Sequence, residues 1–326
     1  MPKVSVLLPM YNSRAYLAEA YESVLRQAFA DYEIVILDDS STDDSVAIVE
    51  SYRHPHTRII KLPKSGYVRN LNIGLDLCDS PYIARFDSDD VMLPERLALQ
   101  SRYLDSNPSV VACGCQAERI DAKGKLLGKL VYDCEPAIVR YRLLLDSPLP
   151  HPGTMYRKSD VLHVGKYRED CMPCEDYDLW VRLGSRGRIV NLPDTLLRYR
   201  THGTNISTLR EQTLIANRQR IRNHQLLDLG LATTNERAQR FSTAMTAAAE
   251  EFTLADYSVV RDIWKRFARR LKRDGYSASE LGHLKRWLRW QATARADACS
   301  ATASAKWLWY ALALAIAPPR WAVGKG

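Results

Sequence analysis

The sequence predicts an α/β protein. Two observations carry that expectation. Over the first 110 residues, short apolar runs rich in β-branched residues alternate with stretches of helical apolar rhythm. The apolar runs also end in polar residues, at Tyr11-Asn12, Asp38-Asp39 and Asp87-Ser88-Asp89. Strand alternating with helix implies right-handed crossovers and a mainly parallel sheet, with a ligand crevice at the carboxyl ends of the strands.

The elements follow in order. Val4 to Pro9 reads as a buried strand, and Ser13 to Gln27 as a helix. Tyr32 to Leu37 is a second strand, closed by Asp38-Asp39-Ser40-Ser41-Thr42, with a helix from Asp43 to Ser51. Arg58 to Leu62 is a third strand, Gly66 to Cys78 a helix, and Tyr82 to Phe86 a fourth strand. Pro94 to Ser106 reads as a helix, Val110 to Cys113 as a strand, and Asp121 to Gly124 as a turn. Glu175 to Leu183 is an amphipathic helix, and Ile189–Leu192 and Leu196–Arg200 are two late strands. Beyond Thr208 the strand signals fade. The expected division is an α/β body over residues 1–208 and a helical region over residues 209–326.

Composition narrows the function classes. Of 326 residues 46% are hydrophobic and 26% charged, which excludes a largely disordered chain. The seven Cys are an odd number, so free thiols and a reducing, cytoplasmic compartment are expected, and the N-terminus shows no signal-peptide pattern. The net charge of +8 is uneven: residues 1–260 carry −2 and residues 261–326 carry +10. A slightly acidic body argues against a nucleic-acid partner.

Asp87-Ser88-Asp89-Asp90 places three carboxylates in four residues at a strand end. They are either a solvated turn before the next helix, or a site where a cation offsets their repulsion. A hard divalent ion with oxygen ligands, Mn²⁺ or Mg²⁺, fits the second reading and implies a diphosphate-bearing ligand. No glycine-rich phosphate loop of either common pattern occurs to do that work instead.

Taken in order, these residues resemble the family-2 glycosyltransferases, over roughly residues 3 to 205. The resemblance implies a glycosyltransferase A-type fold, a Rossmann-like mixed sheet flanked by helices, here with a C-terminal helical extension. It implies that Pro9, Tyr11 and Asn12 end the strand beside the nucleobase, with Tyr11 stacked on the base. Asp39 would accept from uracil N3–H, and Arg69 would lie near base or phosphate. Asp87 and Ser88 would face the ribose, and Asp89, helped by Asp87, would bind the metal. Glu175-Asp176 resembles the motif whose second residue is the catalytic base, so Asp176 would deprotonate the acceptor hydroxyl, with inversion. Tyr199 to Asn205 resembles the segment that closes over the phosphates. Ser40 departs from the pattern, which often has Gly there.

Several residues keep two readings. His202 is a metal ligand or phosphate donor, or a loop histidine on solvent. Arg200, with Arg198, pairs with the diphosphate or faces outward from an edge strand. Trp180 is an acceptor platform or helix core, and Glu175-Asp176 without the resemblance is a plain acidic first turn. The rival functions are a nucleotide-binding oxidoreductase on a similar sheet and a non-catalytic membrane-associated adaptor.

In the tail, Val260, Ile263, Trp264, Phe267 and Leu271 share one face of a helix whose other face is basic; Leu281, Leu284, Trp287 and Leu288 repeat the pattern. Trp307 to Ala317 is an apolar run too short to span a membrane, ended by Pro318-Pro319. The expectation is peripheral attachment of residues 260–326 to an anionic inner membrane face, with Trp307, Trp309 and Trp321 at headgroup level. The alternative is packing on the body or on a twin subunit in a homo-oligomer. A membrane-bound chain suits a glycan or lipid-linked acceptor. His283 stands where processive relatives carry Gln, so one sugar per encounter is expected.

Overall fold

A computed structural model describes residues 1–203, 210–246, 251–299 and 303–316. Thr204, Asn205, Ala317, Pro318, Pro319 and Trp321 lie outside the described residues. The chain forms two compact units. The first comprises residues 1–134 and 147–217, the second residues 135–146 and 218–326.

The first unit is built on one sheet. Its strands are β1 (Val4–Met10), β2 (Tyr32–Asp38), β3 (Thr57–Lys61), β4 (Tyr82–Arg85), β5 (Val91–Met92), β6 (Val110–Ile120), β7 (Leu126–Leu130), β8 (Met155–Arg157) and β9 (Arg188–Arg200). Its order is β3-β2-β1-β4-β8-β6-β9-β5, with β7 paired to β6. The helices α1 (Leu17–Leu25), α2 (Ser45–Ser51), α3 (Tyr67–Leu77) and α4 (Arg96–Ser106) follow the first strands. Strands β3, β2, β1 and β4 are parallel, as helix-filled crossovers require. Every residue of β1 is buried, which explains its unbroken apolar run. Helix α3 lies close on the sheet: a side chain at Gly74 would run into Leu7 and Leu37.

The expectation of a mainly parallel sheet holds for those four strands and for the β6–β9 pair, but not for the rest. Strand β8 runs antiparallel to β4 and β6, and β7 and β5 run antiparallel to β6 and β9. The short turn at 121–125 joins β6 to β7 and forces that pair to run antiparallel. The two late strands are one. Strand β9 runs unbroken beside β6, with a register shift between Gly114 and Gln116 that lets Pro193 and Asp194 bulge outward, exposed. Helix α1 begins at Leu17, later than Ser13. The Ser13 hydroxyl meets that of Ser88 at 2.7 Å and its N–H donates to Ser45 Oγ at 2.8 Å, so its polar groups serve neighbouring loops.

The chain visits β1, β2 and β3 on one side and returns to place β4 on the other. This opens a crevice at the carboxyl ends of β1 and β4. The turns there need left-handed backbone, at Asn12 (φ 47°) and Ser40 (φ 62°). Ser40 keeps the turn without glycine because its hydroxyl donates to Leu62 O at 2.9 Å.

After α5 (Pro136–Arg142), which belongs to the second unit, come α6 (Lys158–His163) and α7 (Glu175–Leu183) of the first. The remaining helices are α8 (Glu211–Asp228), α9 (Asn235–Thr246), α10 (Leu254–Arg273), α11 (Ala278–Ala298) and α12 (Ala303–Ile316). Capping boxes start two of them: Thr253 with Asp256 for α10, and Ser277 with Glu280 for α11.

The apolar stripes of α10 and α11 turn inward. Val260, Ile263, Trp264, Phe267 and Leu271 pack with Leu281, Leu284 and Leu288 in one core. Burial is worth about 1.5–3 kcal/mol for each such side chain, so a bilayer would have to replace the whole of that to draw the stripe outward. The membrane-facing stripe expected from the sequence is therefore spent on the unit's own core. Trp309 is buried too, stacked on Phe252 at 3.9 Å, whereas Trp307 is exposed. No helix among the described residues is long and apolar enough to cross a membrane.

Candidate active site

The crevice has a volume of about 880 Å³, room for a nucleotide sugar, and draws its walls from β1, α3, β4, α7, β9 and the loops at the strand ends. Pro9, Tyr11, Asn12, Asp39, Asp87, Ser88, Asp89, Glu175, Asp176 and His202 all line it. One depression thus gathers residues up to 193 positions apart in the chain.

At the β2 end, Asp39 Oδ1 accepts from the backbone N–H groups of Ser65 (2.8 Å) and Gly66 (3.2 Å), and Oδ2 pairs with Lys64 Nζ at 2.9 Å. Burial alone would raise its pKa. The hydrogen bonds from Ser65, Asn70, Lys64 and Gly66 outweigh burial, and the net shift is downward. Lys64 Nζ also lies 2.8 Å from the centroid of the half-exposed Tyr11 ring. Asn12 ties the two turns together: its Oδ1 accepts from Thr42 N at 2.8 Å, and its own N–H donates to Ser41 Oγ at 3.0 Å.

At the β4 end, Asp87, Asp89 and Asp90 bring one carboxylate oxygen each within 4.8 Å of one another. Arg85, buried at the end of β4, pairs with Asp87. His202 Nε2 meets Asp89 Oδ2 at 2.8 Å, and its ring stacks on Tyr16 at 5.1 Å. Burial and then the charge of Asp87 raise Asp89. Burial, then Asp89 and Asp87, raise Asp90 well above the usual carboxylate range. Asp90 Oδ1 accepts from Arg200 N at 2.7 Å, but Oδ2 is buried and finds no hydrogen-bond donor among the described residues. Burial is the larger cause in both, and repulsion among the three carboxylates adds to it.

Asp176, the second residue of α7, has both oxygens engaged: Oδ1 accepts from Tyr177 N at 2.7 Å, and Oδ2 from Ser147 Oγ at 3.1 Å. Its neighbour Glu175 is buried, and burial followed by the Asp176 charge pushes its carboxyl up to about 8.

Two expectations need correction, and one double reading is decided. Arg69 is exposed and does not line the crevice; Lys64, Tyr67 and Asn70 of the same region do. Arg200 faces neither solvent nor the crevice. Fully buried, it donates to Asp89 O (2.7 Å), Asp121 O (3.2 Å) and Glu19 Oε2 (2.5 Å) and lies over the Tyr16 ring, so it secures the loop that carries Asp89. Trp180 is fully buried, 5.9 Å from the rings of His151 and Tyr156, which makes it core and removes it as an acceptor platform. None of the seven Cys, all among the described residues, is in a disulfide.

The sequence reading missed Lys64, Tyr67, Arg85 and His151, which also line the crevice. Arg85 carried a signal: a cation inside an apolar strand needs an anion nearby.

A curled mixed sheet flanked by helices, with an acidic crevice at its switch point, defines the class: a glycosyltransferase A-type fold. The model of glycosyl transferase family 2 matches residues 5–163. The amylovoran biosynthesis glycosyltransferase AmsE of Erwinia amylovora is 32% identical over 202 residues, 60% of this chain and 75% of that one. The fold is shared with S. aureus TarS 1–349 in complex with UDP-GlcNAc, at a TM-score of 0.60 and 17% identity over 95% of this chain and 90% of that one. It is shared too with the mannosyltransferase PcManGT of Pyrobaculum calidifontis in complex with GDP-Man and Mn²⁺, at 0.54 and 15% over 97% and 86%. The chain belongs to glycosyltransferase family 2.

Proposed function

We propose that the chain moves one sugar per encounter, with inversion, from a UDP-sugar to a hydroxyl of a glycan or lipid-linked acceptor in surface-polysaccharide or glycolipid assembly. The observation that carries this reading is the convergence of the Asp87, Asp89 and Asp90 carboxylates in the same crevice as Asp39 and Asp176. The nucleotide sugars named for TarS and PcManGT support it.

The donor set suits a hard divalent cation: carboxylate oxygens with a histidine beside them, and a buried Asp90 oxygen that meets no donor among the described residues. Asp89, Asp87 and His202 would hold Mn²⁺ or Mg²⁺, which when bound supplies a counter-charge for the departing diphosphate. Asp39 accepts from the N3–H of the base. Lys64, which lies against both Asp39 and Tyr11, shifts toward the phosphates as the base stacks on Tyr11. Asp176 takes the proton of the attacking hydroxyl, and Ser147 with Tyr177 N–H aims its carboxylate. A single displacement with one base inverts the anomeric centre.

A panel of UDP- and GDP-sugars with Mn²⁺ or Mg²⁺ tests this by diphosphate release. UDP-sugars should lead. Asp176→Asn should lower kcat by about 10²–10⁴-fold while leaving UDP affinity unchanged; equal turnover by the variant and the parent would remove Asp176 as base. Asp89→Ala should lose the rise in Tm that Mn²⁺ with UDP gives the parent.

We also infer peripheral attachment to the anionic inner face of the cell membrane. Lys265, Arg266, Arg269, Lys272, Arg273, Lys285 and Arg286 are exposed, as are Trp290 and Trp307, so charge and single indole anchors replace the buried apolar stripe. Sedimentation with phosphatidylglycerol vesicles should fall steeply with added salt; salt-independent sedimentation would refute the electrostatic mode.

A further inference from the structure

The helical unit holds a cavity of its own, of about 230 Å³, lined by none of the crevice residues. For scale, an apolar cavity of roughly 150 Å³ admits a benzene-sized guest. Much of the wall is aromatic: Phe241, Trp264, Phe267, Trp287 and Trp309. Three cations also line it, Arg142, Arg222 and Arg295, against one carboxylate, Asp146, which Arg218 pairs at 3.2 Å.

The guanidinium groups are held in place. Arg142 lies 4.8 Å from the Trp287 centroid and Arg295 lies 5.1 Å from that of Trp309. Arg222 Nε donates to Leu145 O, and Arg295 to Met245 O at 2.7 Å. The cavity thus combines an apolar wall with a hydrated cationic edge, at exposed Arg142 and half-buried Arg222 and Arg295. It suits a guest that is apolar along its length and anionic at one end. Several guanidinium groups also match the oxygens of a dianionic phosphate better than a singly charged carboxylate.

We propose that the helical unit binds a linear hydrocarbon chain ending in a phosphate, the chain inside the cavity and the phosphate against Arg142, Arg222 and Arg295. The site is separate from the donor crevice, and the proposal does not depend on how that crevice works.

The indoles lining the cavity supply the readout. Tryptophan fluorescence of the full chain is titrated, below the micellar range, with dodecyl phosphate, farnesyl phosphate, dodecanoate, dodecanol and inorganic phosphate. Dodecyl phosphate should bind saturably with one site per chain. Dodecanol, dodecanoate and inorganic phosphate should each bind at least about tenfold more weakly. Farnesyl phosphate against dodecyl phosphate tells an isoprenoid from a straight-chain source. Arg142→Gln, at an exposed position, should weaken dodecyl phosphate by about tenfold and leave dodecanol unchanged. Ala292→Leu, which fills the cavity, should weaken every chain-bearing probe; should it not fold, the probe series and Arg142→Gln still decide.

No saturable change with dodecyl phosphate would overturn the proposal. So would equal affinity for phosphate and alcohol, or an unaltered Arg142→Gln. UDP affinity measured on the same preparation keeps the two readings apart: a chain that binds UDP but no alkyl phosphate sinks only this one, and the reverse result sinks only the donor assignment.

Discussion

Glu175 shows what one side chain's surroundings impose. It is buried beside Asp176 in the first turn of α7, and its carboxyl is pushed from 4.5 up to about 8, first by burial and then by that neighbouring charge. The folded chain therefore binds this proton more tightly than the unfolded chain does. The stability that comes with the proton is complete below about pH 4.5 and is lost as pH rises through about 8. Glu175→Gln should match the parent in denaturant unfolding at pH 5 and exceed it at pH 9, by a few kcal/mol at most. Parallel stability curves from pH 5 to pH 9 would disprove the raised value. The site's acids were readable because strand-end carboxylates stand out against apolar runs. The roles of Arg69, Arg200 and Trp180 were not, since sequence spacing is silent on which way a side chain turns. Arg200 ends a strand in a row of polar residues, yet the structure buries it under Tyr16, where it holds Asp89 O and Glu19.

At the scale of elements, α4 is fastened by one residue. Arg96 is fully buried, and its guanidinium donates to Gln100 Oε1 (3.1 Å), Pro152 O (2.6 Å), Arg85 O (2.7 Å) and Thr154 O (3.2 Å). It joins α4 to the end of β4, two residues before Asp87, and to the segment that enters β8. Arg96→Leu strands those acceptors without a donor and should cost about 3–5 kcal/mol in urea unfolding. UDP affinity should fall with it as the β4 end loosens. A loss under about 1 kcal/mol would show that solvent replaces the donors. The parallel strands were readable because burial on both faces leaves unbroken apolar runs. Strand β9 reads as two because Pro193 and Asp194 interrupt its pattern, and only pairing with β6 shows that the break is a bulge. Strand β7, with Leu126, Leu127 and Lys129 exposed or half-exposed, lacks the burial that makes a strand visible in sequence.

At the scale of the whole molecule, chain order and spatial grouping part company. A reading of local pattern draws one line near residue 208, because strand signals stop there. The compact units instead place residues 135–146, far upstream, with the helices that follow residue 217. In that unit Ala137, Ile138, Tyr141 and Leu144 belong to the core, with Tyr141 edge-on to Phe267 at 5.9 Å and to Trp287 at 6.0 Å. A chain shortened to residues 1–217 keeps the segment but loses the rest of its core. Each uncovered side chain then forfeits about 1.5–3 kcal/mol of burial, and four together form a sticky apolar face. The shortened chain should aggregate at micromolar concentration. Replacing Ile138, Tyr141 and Leu144 with Ser in the shortened chain should restore a soluble monomer that still binds UDP, because every residue lining the crevice lies within residues 9–210. Light scattering and UDP titration of the two shortened chains decide the matter. A monomeric 1–217 chain without the serines would show that residues 135–146 need no partner. A soluble serine variant that fails to bind UDP would show that the helical unit is required to hold the crevice open.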